Sequence, residues 1–266
     1  MSRAVFNIST FALAKVVLAG AFLLWTCASP LNGQEHSTVP DQSKAHDHSG
    51  MSMSMPMDDQ PLSAAAQAKL LKDKRESEFN HRLAGLLVFL AGIFILFEPR
   101  LRDRWPATRY AWPMCFLLSG LFVFVFSDTE LWPFGPKNWW TGVFGNLEVL
   151  QHKTFALLLL SLGVIELRRA AGVLRAVWSA WVFPVFALGG SVLLLFHVHG
   201  GGMHGPDAMA TMEHIQKEHF SYAATGAGIA VSKGLSDTPL RSRGVFRVLW
   251  PLLMMVLGAL LMTYTE

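Results

Sequence analysis

Six apolar stretches recur along the chain, at residues 81–98, 111–127, 150–167, 177–197, 214–232 and 245–264. Each is close to the ~20 residues that an α-helix needs to cross ~30 Å of hydrocarbon. Short polar connections separate them. The pattern predicts an all-α fold, a polytopic membrane bundle of six transmembrane helices. The fifth stretch is the least apolar. Its centre, Phe220–Val231, is built from small residues, which suit close helix packing inside a bundle.

A shorter apolar run, Val16–Trp25, precedes all of these. Arg3 and Lys15 supply positive charge, small residues follow at Thr26–Ser29, and Pro30 breaks the pattern. Residues 1–29 therefore read as a secretory signal peptide cut near Ala28 or Ser29. An uncleaved anchor helix is the alternative. Residues 30–75 are polar, lack an apolar period, and read as a flexible tail. Residues 76–266 form the expected six-helix domain.

Composition narrows the class. Of 266 residues, 52% are hydrophobic and 15% charged, against about 25% charged in soluble domains. A soluble globule is excluded, and a net charge of +3 gives no case for nucleic acid. Cys27 and Cys115 offer no disulfide framework. Without a P-loop, serine elbow or aspartyl-phosphate motif, an ATP-driven pump is excluded and no enzyme is indicated.

Basic residues orient the bundle. Arg100, Arg102, Arg104 and Arg109 follow the first stretch, Arg168, Arg169 and Arg175 the third, and Lys233, Arg241, Arg243 and Arg247 the fifth. The connections after the second and fourth hold essentially Lys137 and Lys217. By the positive-inside tendency the arginine-rich loops are cytoplasmic. The N-terminal tail and the C-terminus then lie outside, in the periplasm of a cell with an outer membrane. A cleaved signal points the same way.

The histidines take the opposite side. His81 opens the first stretch, His152 the third, and His197 and His199 close the fourth. His204, His214 and His219 follow at the start of the fifth, and none of the ten histidines falls in a cytoplasmic loop. Met203, Met209 and Met212 lie in the same outer segment. On a helix, Met212, Ile215, His219, Tyr222 and Gly226 share one face, directing Met212 and His219 towards the bundle. Glu78, Asp128, Glu130 and Glu148 are placed to orient ligand imidazoles through their second nitrogen. Glu166, beside Arg168 and Arg169, reads instead as a local ion pair.

The tail carries its own cluster, His46 and His48 followed by Met51, Met53, Met55 and Met57. A tail without a core has no packing use for methionine. Thioethers are soft ligands suited to Cu(I), and imidazole binds copper in either state. The expected metal ligands are thus His46, His48, Met51, Met53, Met55 and Met57 in the tail. In the bundle they are His81, His152, His197, His199, Met203, His204, Met212, His214 and His219.

In its multi-span layout, its outer histidines His81, His152, His197 and His199, and its Met/His-rich outer segment, the stretch Glu76–Thr263 resembles the CopD-type copper-resistance membrane proteins of bacteria. The resemblance implies a bacterial inner-membrane protein that handles periplasmic copper, moving it inwards or exchanging it with periplasmic copper carrier proteins. The tethered tail is a departure from that family.

A second reading is electron transfer through b-type haem, because histidines on separate helices at one depth can ligate haem in pairs. It leaves the methionine tail without a role. A third, an assembly protein for a copper oxidase, has no motif of its own.

Overall fold

A computed structural model describes residues 63–197, 208–237 and 243–265. The signal segment, the tail ligands His46, His48, Met51, Met53, Met55 and Met57, and the loop residues His199, Met203 and His204 lie outside the described residues. Residues Ala65–Glu266 form one compact unit.

The described chain is helical, with no strand among the described residues. The elements are α1 (Ala64–Leu101), a 3-10 turn (Pro106–Tyr110), α2 (Ala111–Phe126), the short α3 (Trp139–Phe144), α4 (Leu147–Ala170), α5 (Ser179–Leu195), α6 (Ala208–Ser236) and α7 (Arg243–Met262). Four segments are long and apolar enough to cross a membrane: Gln67–Leu101 in α1, the 3-10 turn with α2, α4, and Gly244–Met262 in α7. The protein is a membrane protein on that ground. α5 is apolar but has only 17 residues, about 26 Å at 1.5 Å per residue. α6, the expected fifth span, does not reach the same hydropathy.

Helix ends follow local chemistry. Asn146 caps α4 by accepting from the amides of Glu148 and Val149, Glu148 sits in the first turn, and Arg168 and Arg169 occupy the last. That arrangement suits the helix dipole at both ends. Gly172, at φ +72°, turns the chain away.

α1 begins much earlier than the apolar pattern indicates, so residues 64–75 are helix and not part of a flexible tail. Hydropathy misses these three turns because their helicity comes from elsewhere. It comes from alanines at Ala64–Ala66 and from pairs four residues apart, Lys72–Glu76 at 3.5 Å and Glu78–Arg82 at 3.0 Å.

α2 packs chiefly on α4, and α6 lies between α5 and α7. α1 meets α7 backbone to backbone. A Cβ on Gly85 would come within 2.7 Å of the Gly258 carbonyl, and one on Gly258 within 2.6 Å of the Gly85 carbonyl. Only glycine allows that approach. The helices collect their histidines at one end. At the other, Arg169 bonds Glu166 at 2.7 Å, as the sequence indicates, and approaches Asp237 of the α6–α7 turn at 3.8 Å. An aromatic cluster of Trp112, Phe116, Phe183 and Trp250 fills the interior above that arginine end, with ring centroids 5.5–6.4 Å apart.

Candidate functional site

Five elements deliver rings to the histidine end. His81 comes from α1, His152 from the first turns of α4, His197 from just past α5, His219 from α6 and Tyr264 from just past α7. They form a continuous run. Ring centroids are 5.4 Å apart for His152–His197, 5.0 Å for His197–His219, 6.5 Å for His219–Tyr264 and 4.0 Å for Tyr264–His81. His219 is buried, 4% exposed, among His197, Tyr222 and Tyr264. Burying a polar ring there is costly unless it has work to do.

Three of these rings have their tautomer set by a neighbour. His81 Nδ1 lies 2.8 Å from the Ser77 carbonyl. A carbonyl only accepts, so Nδ1 carries the proton. His152 Nδ1 lies 3.1 Å from Asp128 Oδ1, another acceptor. Gln151 settles His197: its Nε2 donates to the Phe196 carbonyl at 3.1 Å, which turns Oε1 to accept from His197 Nδ1 at 2.6 Å. In a neutral imidazole protonated at Nδ1, the lone pair is on Nε2. His81, His152 and His197 thus share one donor polarity. This is the orientation that outer hydrogen bonds impose on metal-binding histidines.

Asp128 is itself held. Lys153 Nζ contacts its Oδ2 at 2.8 Å, the Phe124 carbonyl at 2.9 Å and Ser127 Oγ at 3.0 Å. The ammonium also faces the Trp139 ring, 5.6 Å from its centroid. Burial by itself raises the Asp128 pKa, but the bonds from His152, Lys153 and Ser127 outweigh it and hold the carboxyl below its ordinary value.

A cavity of about 1130 Å³ opens among Lys69, Asp73, Lys74, Lys137 and Glu148, passes His81, His152, His197 and His219, and ends at Phe116, Leu162, Phe183, Ile229 and Met254. It stops at the aromatic cluster.

Two expected ligands stand apart. Met212 is 45% exposed. It lies two turns ahead of His219, past the end of α5, so the shared face of α6 is buried at Ile215, His219, Tyr222 and Gly226 but not at Met212. His214 is likewise turned outwards, with a side chain 54% exposed beside Glu218 at 3.6 Å. Among the described residues, no three His, Cys, Asp or Glu side chains stand close enough to enclose an ion.

Of the oriented carboxylates, Asp128 takes the expected role on His152. Glu78 pairs with Arg82 at 3.0 Å and Glu130 with Lys69 at 3.0 Å. Sequence reasoning missed Gln151, Lys153 and Tyr264 as parts of the site. The first two carried a signal: Gln151, His152 and Lys153 are consecutive polar residues entering an apolar helix. Tyr264 carried none. Compared with protein-family models, curated proteins and solved structures, the chain matches none of them.

Proposed function

We propose that the protein is a copper-binding membrane protein of the CopD type, with six spans, in the bacterial inner membrane, and with its tail and C-terminus in the periplasm. In this reading the Met/His tail captures periplasmic Cu(I) and raises its concentration at the bundle mouth, as a tethered ligand does. The Nε2 atoms of His152 and His197, with His219 and His81 beside them, receive the ion. His199, two residues past His197, is available to complete the ligand set with Met203 and His204.

The observation that carries this reading is the common orientation. Three acceptors of different kinds (a carboxylate, an amide oxygen and a backbone carbonyl) each accept a hydrogen bond from the Nδ1 of one histidine at one end of the bundle. Six spans are supported by the lipid-like outer faces of the two weaker helices. Val185, Leu188 and Val192 on α5, and Phe220 and Val231 on α6, are exposed.

Holding and delivery are favoured over passage through the bundle. Below the histidines the cavity walls are mostly hydrocarbon, with the hydroxyls of Ser119 and Ser191 and the thioether of Met254 among them, and the aromatic cluster closes the way. Copper is favoured over b-type haem because neighbouring imidazoles lean on one another, His197 and His219 edge to face at 75°, where bis-imidazole ligation sets two rings across a macrocycle.

The test is Cu(I) titration of the purified full-length protein against a chelator, with an absorption spectrum of the same sample. The double variant His152→Ala/His197→Ala should lose copper that His214→Ala retains. Unchanged stoichiometry in the double variant, or a strong Soret band, overturns the reading.

A further inference from the structure

The connection between α2 and α4 is a folded unit. Trp132 N donates to the Lys137 carbonyl at 3.0 Å, and Lys137 N to the Glu130 carbonyl at 3.0 Å. Asn138 then caps α3 by accepting from the Trp140 amide at 2.9 Å. Leu131 and Val143 are buried within, and Gly142 is pressed against the Leu131 side chain. Aliphatic side chains thus form the interior of this unit, and large rings form its exterior. Trp132 is 69% exposed and Trp140 74%, with Phe134, Phe144 and Leu147 each more than half exposed.

The charges face elsewhere. From Leu131 to Leu147 the single charged residue is Lys137, and it is paired with Glu130. Glu130, Lys137, Thr141 and Asn146 border the cavity, whereas Trp132, Phe134, Trp140 and Phe144 do not. The connection therefore has a polar side at the cavity mouth and an aromatic side away from it. A contiguous apolar surface of that kind marks a place where a partner sits.

Depth identifies the partner. The membrane-crossing segment that contains α2 ends at Phe126, and α4 begins its own at Leu147. Phe134 stacks on Phe126 with ring centroids 5.6 Å apart, and Phe126 on Phe122 at 5.4 Å. Phe122 and Phe126 share a helix face with Leu118, which is exposed along the span. At the other end Phe144 precedes Leu147 by one turn, and Trp140 lies against Phe144 at 4.7 Å. Both halves of the aromatic surface are thus seated where a helix leaves or enters hydrocarbon. That level is the boundary between acyl chains and headgroups, where tryptophan is at home because it joins a large apolar body to one N–H donor. A second copy of the chain or a soluble partner would account for exposed rings, but not for their registry with the ends of two spans.

We infer that residues 131–147 form an interfacial plate lying on the bilayer at the histidine end, with Trp132, Phe134, Trp140 and Phe144 set between headgroups and upper acyl chains. An amphipathic element of this kind buries its apolar face by about 5–10 Å. The plate also touches the site from its inner side. Trp139 packs on Phe124 at 5.3 Å and faces Lys153 Nζ, 5.6 Å from the ring centroid. The inference rests on the spans and this connection, and stands or falls apart from copper.

The test uses the full-length protein in phospholipid nanodiscs, in a Cys27→Ser/Cys115→Ala background. A nitroxide is attached at Trp132→Cys, Phe134→Cys, Trp140→Cys or Phe144→Cys, one at a time. Its collisions with oxygen, which concentrates among acyl chains, are compared with its collisions with a water-soluble nickel chelate. Lys72→Cys, on the exposed polar start of α1, is the reference for water, and Leu121→Cys on α2 the reference for hydrocarbon. At that depth the oxygen-to-nickel ratio at all four sites should exceed the Lys72→Cys ratio roughly fivefold and stay below that of Leu121→Cys. A ratio equal to that of Lys72→Cys puts the rings in water, and exclusion of both probes puts them against protein; either result overturns the inference. If the labelled variants do not fold, the unlabelled protein decides. The emission that Trp132→Phe/Trp140→Phe removes should be emission that phospholipids brominated just below the headgroup quench, and finding it unquenched overturns the inference.

Discussion

His197 donates a hydrogen bond from Nδ1 to Gln151 Oε1 across 2.6 Å, and the same Gln151 amide is anchored on the carbonyl of Phe196, the residue next to that histidine. One buried side chain on α4 thereby fixes both the end of α5 and the polarity of the ring beyond it. Gln151 is 3% exposed, so water does not replace it.

Gln151→Leu should therefore weaken Cu(I) binding by about 10- to 100-fold, the usual effect of losing a partner behind a ligand. Gln151→Glu, which keeps an acceptor for Nδ1, should lose less. Chelator competition on the two variants checks the order, and equal affinities in wild type and Gln151→Leu would remove Gln151 from the site.

Asp128 and Lys153 are both buried, with side chains 9% and 5% exposed. Asp128→Asn strands the ammonium and should destabilise the protein by about 3–5 kcal/mol, as breaking a buried pair does. The double variant Asp128→Asn/Lys153→Met should recover most of that loss. Thermal unfolding in detergent measures both, and strict additivity of the two single changes would refute the pairing.

Gly85→Val should push α1 off α7, because the added atoms meet the Gly258 carbonyl. The expected cost is about 1–3 kcal/mol. His81 is one turn from Gly85 and stacks on Tyr264 at 4.0 Å, so the site should feel the change as well. A melting temperature equal to wild type would contradict the close approach.

Glu130 ties the turn after α2 to α1 through Lys69 and is paired with Lys137. The hydrogen bonds from Lys137 and then Lys69 hold its pKa below the ordinary value. A carboxyl with a lowered folded pKa adds stability above its unfolded pKa, about 4.3, that is lost as pH falls through the folded value. Amide exchange in residues 127–138 should thus quicken relative to the helices below about pH 4, and Glu130→Gln should show the quickened rate already at neutral pH. Because the group is largely exposed, added salt should shrink the effect.

The division of the chain into ends was legible from the order of its basic residues and histidines. Arg100–Arg109, Arg168–Arg175 and Lys233 mark one side and His81, His152, His197 and His219 the other, since helix length and alternating direction leave few ways to arrange them. Depth could be read, but partners could not. Nothing in the order of residues shows that Gln151 faces His197, that Tyr264 stacks on His81, or that Met212 and His214 turn outwards. Those depend on how far each helix is rotated and where its neighbour stops.

What the sequence determined by itself is therefore the solvent-like logic of the molecule: apolar lengths that match hydrocarbon, charges gathered towards the ends, and histidines gathered at one end. What only the tertiary structure decided is the rest. It set the Nδ1 partners of three histidines, the glycine contact that seats α1 on α7, and the cavity beneath the histidines. Apolar length is a property of one helix and can be read along the chain. Hydrogen-bond polarity and empty volume belong to several helices at once, and exist only after they have packed.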